Sequence, residues 1–217
     1  EVNRVFNYFA NSYLIHNGAP CSACLACGVS FYTVSDSAYS AVRASYSSGT
    51  FTYDAYVSYG SYSTQLLSNE SLTDSCIFSF TPHQYFSSFT GLIPETENPV
   101  TNKSQWNKMY AIQLLSQYSW RIWDAGSIVA RSDSNLGMSG FGSSGWSFNT
   151  GDIFTMEYSG NTLNVTLTDS NGNSVGVIDS LNVPSLLKLR AKSEININSS
   201  RNTPEIYFTD IVFKKPL

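Results

Sequence analysis

Between Ile153 and Ile178 apolar and polar residues alternate with a period of two. Phe154, Met156 and Tyr158 alternate with Thr155 and Glu157; after Ser159-Gly160-Asn161, Leu163, Val165 and Leu167 alternate with Asn164, Thr166 and Thr168. Such alternation on both sides of a Gly-Asn turn predicts a β-hairpin with one apolar and one polar face. A second turn, Asp169-Ser-Asn-Gly-Asn173, passes the chain to Ser174–Ile178 and extends the hairpin to a three-stranded meander.

The same period recurs at short intervals elsewhere. Val29, Phe31 and Thr33 alternate, as do Phe51, Tyr53, Ala55, Val57 and Tyr59, and then Cys76, Phe78 and Phe80. From Lys108 to Trp123, Tyr110, Ile112, Leu114, Tyr118, Trp120 and Ile122 share one parity, and Gln113, Gln117, Ser119 and Arg121 the other, which predicts two strands or one long bent one. Asp124-Ala-Gly126 turns the chain into a short strand at Ser127–Ala130. Leu187, Leu189 and Ala191 alternate with Lys188, Arg190 and Lys192, and Ile195 and Ile197 follow in phase. The last run, Glu205–Phe213, is apolar on both parities and reads as an interior strand. Tyr85–Asn107, with Pro94 and Pro99, reads as a long surface loop in which Glu95 and Glu97 are solvated.

The opening differs. Val2, Phe6, Phe9 and Tyr13 lie close to helical spacing and predict a short amphipathic helix, broken by Asn17-Gly18-Ala19-Pro20. The expected organisation is therefore an N-terminal helical segment or linker over 1–20 and a single all-β sandwich domain over 21–217, a length that one sandwich core can organise.

Composition supports strands: charged residues are 13% and aromatics 14% of the chain, a balance that suits a neutral, hydroxyl-rich surface better than solvated helices. The net charge of -4 argues against nucleic acid, whose phosphates need clustered Lys and Arg. Lys188, Arg190, Lys192, Arg201, Lys214 and Lys215 do gather near the end, where they read as an ordinary solvated strand face. No run of 18 apolar residues is present, so no membrane insertion is expected. The first residue is Glu, which suggests a processed product or a fragment of a longer chain.

Cys21, Cys24 and Cys27 are spaced by two residues, and Cys76 is the fourth cysteine. The set is a weak metal candidate, with Cys76 or His83 as a fourth ligand to Zn²⁺, because it lacks the second paired knuckle of a recognised zinc site. In an oxidising compartment Cys76 instead bonds one of the three, closing a loop of about fifty residues worth roughly 3–4 kcal/mol. In a reducing one all four stay thiols. No cofactor is implied. Asn69, Asn102, Asn164 and Asn198 head glycosylation acceptor sequences if the source is a eukaryotic secretory one, with Asn164 on the polar hairpin face favoured.

Arg131–Gly151 is the most irregular stretch. Gly140-Phe-Gly142-Ser-Ser-Gly145 matches GxGxxG, but the next element is a β-hairpin and not the helix that a dinucleotide site requires. A Gly/Ser loop leading into Trp146 is the better description. Here Trp146, Asp133 and Asn135 are the candidate ligand-binding residues: an aromatic to stack on a sugar face, and side chains to bond its hydroxyls.

Phe148, Gly151-Asp-Ile-Phe-Thr-Met-Glu-Tyr158, Gly160-Asn-Thr-Leu163 and Val165, with the closing strand Ile206–Phe213, resemble the concanavalin A-like lectin/glucanase jelly roll, and within it the SPRY and laminin-G hairpin pattern found in phage and viral attachment proteins. The resemblance covers about a third of the chain. It implies a two-sheet antiparallel sandwich and a role among lectins, protein-binding modules and glycan hydrolases or lyases. The glucanase pattern Glu-x-Asp-x-x-Glu is missing, so the two carboxylates of glycoside hydrolysis have no carrier and no enzyme is expected. With only His16 and His83, no serine is singled out for a nucleophilic triad. The expectation is a non-catalytic attachment module, extracellular or on a virion surface, binding a cell-surface glycan or protein through rim loops. The alternatives are a structural assembly domain of a virion or surface layer, and a polysaccharide-active enzyme. A homo-oligomer, a trimer, would form through the N-terminal helix.

Overall fold

The computed structural model describes residues 28–35, 42–55, 62–83, 88–98, 105–116, 119–131, 149–185, 187–197 and 205–216. Among them the strands run β1 Phe31–Ser35, β2 Val42–Ser47, β3 Thr50–Ala55, β4 Tyr62–Ser68, β5 Leu72–Thr73, β6 Ser75–Pro82, β7 Ser88–Pro94 and β8 Tyr110–Ser116. They continue as β9 Ser119–Asp124, β10 Ser127–Arg131, β11 Ile153–Ser159, β12 Thr162–Thr168, β13 Ser174–Asn182, β14 Lys188–Ile197 and β15 Glu205–Lys214. Single 3-10 turns stand at Glu95–Glu97 and Trp106–Lys108.

Two antiparallel sheets result. One is ordered β1-β4-β14-β7-β8-β9-β10 with β5 added beside β14; the other is β13-β12-β11-β6-β15-β3-β2. At the middle of each sheet, in β4-β14-β7 and β11-β6-β15-β3, strands distant in sequence are neighbours, as in a jelly roll. The hairpin forms with the register its alternation requires, Met156 opposite Val165 and Tyr158 opposite Leu163. Every apolar member of that set faces inward and is buried. The last strand is interior, between β3 and β6.

The core between the sheets is dense in rings. Phe80 stacks on Phe154 at 5.7 Å and meets Phe208 edge-on at 5.2 Å, geometries that favour the aromatic quadrupoles. From the eight-stranded sheet Leu66, Leu92, Ile112, Leu114, Trp120, Ile122, Leu189, Ala191 and Ile195 complete it. Tyr158 closes one end: its hydroxyl donates to the carbonyls of Gly160 and Pro184, at 2.8 and 3.1 Å, and accepts from Leu187 N at 3.0 Å.

Four strands went unread in the sequence: β2, β4, the two-residue β5 and β7. The last corrects the expectation of a loop over Tyr85–Asn107, since Ser88–Ile93 is buried on both parities. Strand β7 lies in mid-sheet and is covered on both faces, so it shows no alternation to read. Gly91 is required there, because a Cβ at that position would run into the Tyr110 carbonyl of β8. The predicted N-terminal helix, and Val57 and Tyr59 of the predicted strand beyond β3, lie outside the described residues.

Candidate functional site: the outer face of the eight-stranded sheet

In β14, odd residues (Leu189, Ala191, Ser193, Ile195) face the core and even residues (Lys188, Arg190, Lys192, Glu194) face out, because successive strand side chains alternate. The outward parity continues through Phe89, Gly91 and Ile93 of β7, Ala111 and Gln113 of β8, and Arg121 and Trp123 of β9. Register places these side chains in transverse rows. One runs Gln65, Glu194, Phe89, Gln113, Arg121; the next runs Leu67, Lys192, Gly91, Ala111, Trp123.

The connection from β7 to β8 folds back over this face. Gly91 and Ala111 leave room in the middle of the second row, and the returning chain packs there. Trp106 stacks on Phe89 at 5.5 Å and meets Trp123 edge-on at 4.8 Å, forming a second apolar cluster with Ile93, Met109 and Ala111. Trp106 stays partly exposed. Trp123 Nε1 donates to Gln113 Oε1 at 2.9 Å, which satisfies the indole and fixes the amide.

Beside Trp106, Gln105 bridges an ion pair. Lys192 Nζ lies 2.9 Å from Glu194 Oε1 and donates to Gln105 Oε1 at 2.6 Å; Gln105 N donates to the same Glu194 oxygen at 2.6 Å. Both charged side chains are 0% exposed. Burial lowers the Lys192 pKa, and Glu194 opposes the shift by favouring the charged form. This corrects the expectation of a solvated basic face: Lys192 is inside. The partner it needed, Glu194, stands two residues on in the same strand.

Glu95 is likewise more than a solvated loop residue. It accepts from Lys188 at 2.6 Å and from Ser71 Oγ at 3.1 Å, and Arg190 stands 3.9 Å away. The Lys188 bond is the largest cause of a carboxyl held below its ordinary value. Lys108 reaches Glu97 at 3.4 Å. The Glu95 pairs pin the start of the connection to β14, and Lys108–Glu97 ties its two ends to each other.

The face thus presents the partly exposed ring of Trp106 and the guanidinium of Arg121, seated on the buried Phe89, Gln113 and Trp123. Ring faces stack on the apolar sides of sugars, and amide and guanidinium groups bond their hydroxyls. Glu194 is held by Lys192 and Gln105, which leaves it poorly placed as a proton carrier.

Of the residues expected from sequence, Trp146, Asp133 and Asn135 lie outside the described residues, as do Cys21, Cys24, Cys27, Asn102 and Asn198. The edges of their loop are defined. It leaves β10 after Arg131, which pairs with Arg121, and re-enters at Asn149, whose N–H bonds Asp152 Oδ2 at 2.7 Å. Cys76 is a free thiol in the core, 0% exposed, with its pKa pushed up to about 12 by burial. Among the described residues no group of three or more His, Cys, Asp or Glu side chains is placed to hold a metal ion, and His83 Nε2 lies 2.8 Å from Thr209 Oγ1. Asn69 is exposed, with its amide donating to Ser30 Oγ at 2.6 Å; Asn164 is half-buried in β12 opposite Glu157. No helix among the described residues is long and apolar enough to cross a membrane.

Sequence reasoning missed Trp106 and Trp123 as a pair. The available signal was parity: Trp123 shares the polar phase of Gln113 and Arg121, where an indole is out of place unless something covers or uses it.

No family model and no curated protein sequence matches the chain. Among solved structures, the exoplasmic/lumenal domain of VIP36 in its Ca²⁺/Man2-bound form matches with a TM-score of 0.50 at 10% identity, over 86% of this chain and 81% of that one. Lectin UEA-II complexed with galactose matches at 0.49 and 13%, over 86% and 93%. The carbohydrate-binding module CBM66 from Bacillus subtilis matches at 0.44 and 11%, over 87% and 97%. The chain has the concanavalin A-like jelly-roll fold.

Proposed function

We propose that this protein is a non-catalytic glycan-recognition module that works in attachment to a cell surface. The observation that carries the reading is the partly exposed Trp106, held by Phe89 and Trp123 beside Gln113 on the outer face of the eight-stranded sheet. Ring and amide are both fixed before any ligand arrives, which lowers the entropy cost of binding. The exoplasmic/lumenal domain of VIP36 in its Ca²⁺/Man2-bound form, similar in fold, adds support as a sugar-bound example. An extracellular or virion-surface location suits such a module. Asp133, Asn135 and Trp146 extend the reading, because their loop leaves β10 directly after the residue paired with Arg121.

A glycan-array screen of the full chain tests this, with Trp106→Ala and Trp146→Ala as separate controls. Specific binding weakened about tenfold or more in Trp106→Ala is the expected result. An equal response of both proteins, or no binding by the folded chain, would sink the proposal.

A further inference from the structure

Arg121 stands apart from the other cations of the eight-stranded sheet. Lys188 and Arg190 pair with Glu95, Lys192 with Glu194, and Lys108, just before β8, with Glu97. No ion pair among the described residues involves Arg121. Its Nε is buried without a hydrogen-bond partner, while the residue as a whole stays partly exposed. Arg190 Nε shares that lack of a partner, but its terminal nitrogen lies 3.9 Å from Glu95.

A guanidinium presents five donors in a planar fork, and a buried N–H left unmade costs free energy that an arriving acceptor recovers. Among the described residues the neighbours of Arg121 supply no negative charge. Gln113, opposite on β8, has its oxygen engaged by the Trp123 indole, and Trp123 itself follows two residues on along the same face. Among the described residues the end of this face is therefore short of one negative group, beside the partly exposed ring of Trp106, which meets Trp123.

Resting on the glycan-recognition reading above, we infer that Arg121 receives the carboxylate of an acidic sugar, so that the preferred ligands are glycans carrying uronic or other carboxylated residues. The planar fork matches the carboxylate in a two-bond grip, with the sugar ring toward the partly exposed Trp106. Glu194, three strands away and bound to Lys192, does not repel it.

The test follows tryptophan fluorescence of the full chain during titration with a panel of carboxylated glycans, and with the same glycans after reduction of their carboxyls to alcohols. The acidic forms are expected to bind about tenfold more tightly or better, an advantage that shrinks as salt is raised. Arg121→Gln brings the acidic forms down to the affinity of the reduced ones, and Arg121→Lys keeps part of the gap because it retains charge without the fork. The comparison of ligands and the salt series need no variant, so they stand even if Arg121→Gln misfolds. Equal affinity for acidic and reduced glycans overturns the carboxylate assignment and leaves glycan recognition intact. Absence of binding to either form, with no array glycan bound by the folded chain, overturns both.

Discussion

The two faces of the eight-stranded sheet are both buried in large part, and by opposite means. The inner face is apolar: Leu92, Ile112, Leu114, Trp120, Ile122 and Ala191 meet the rings of the other sheet, and burial alone stabilises them. The outer face buries Lys192, Glu194, Gln113 and Gln65 beside Phe89 and Trp123, and each polar group there must be matched. The inner face gives stability without chemical selectivity. The outer face gives little net stability, since desolvating an ion pair roughly cancels its attraction, but it fixes donors, acceptors and rings in place.

The difference is breakable. Phe80→Ala, in the seven-stranded sheet against which the inner face packs, removes a ring that touches Phe78, Phe154 and Phe208, and should cost about 4 kcal/mol in urea unfolding, with the glycan preference of the folded fraction retained. On the outer face, Glu194→Ala strands the Lys192 charge and should cost about 3 kcal/mol, whereas Lys192→Met with Glu194→Leu should recover most of it. If the double variant is as unstable as the single one, the outer face is held together by its charges after all. The single variant also has a pH signature. With the folded pKa of Lys192 lowered, the unfolded chain binds more protons between the folded and the ordinary lysine value, so stability of Glu194→Ala rises with pH through that window.

Tyr158→Phe tests the end of the core that the seven-stranded sheet contributes opposite the inner face. The hydroxyl makes three bonds to the backbone between β11 and β14, and its loss should cost about 1–2 kcal/mol and speed amide exchange at Leu187. The smallest effect belongs to Glu95 on the rim of the outer face. Its folded pKa lies below the ordinary value of 4.5, so its contribution is full above that value and is lost as pH falls through the folded one. Glu95→Gln should remove that part of the acid slope, a change under about 1 kcal/mol given its exposure. An unchanged slope would show the pair with Lys188 to be thermodynamically idle.

Much of the core side of the seven-stranded sheet, which the inner face meets, could be read directly. Phe154, Met156, Tyr158, Leu163, Val165 and Leu167 alternate, and all six are buried where that alternation puts them. The interior position of β15 followed from its apolar residues on both parities, for the same reason. Strand β7 was lost because a strand covered on both faces carries no period, and because Pro94 and Pro99 made its surroundings look like loop. Of the site, the sequence exposed the parity of Gln113 and Arg121 but not the return of Gln105 and Trp106 over them.

What the sequence by itself determined is local: which residues alternate, where turns fall, and hence that the chain makes sheets with an apolar side. Turn residues and period act over a few positions and need no partner. Only the tertiary structure decided that β14 lies between β4 and β7, a hundred residues away in sequence. That pairing sets Lys192 beside Gly91 under Gln105, and Glu194 beside Phe89. Burial of a charge depends on what the rest of the fold lays over it, and alternation in one strand contains no record of the cover.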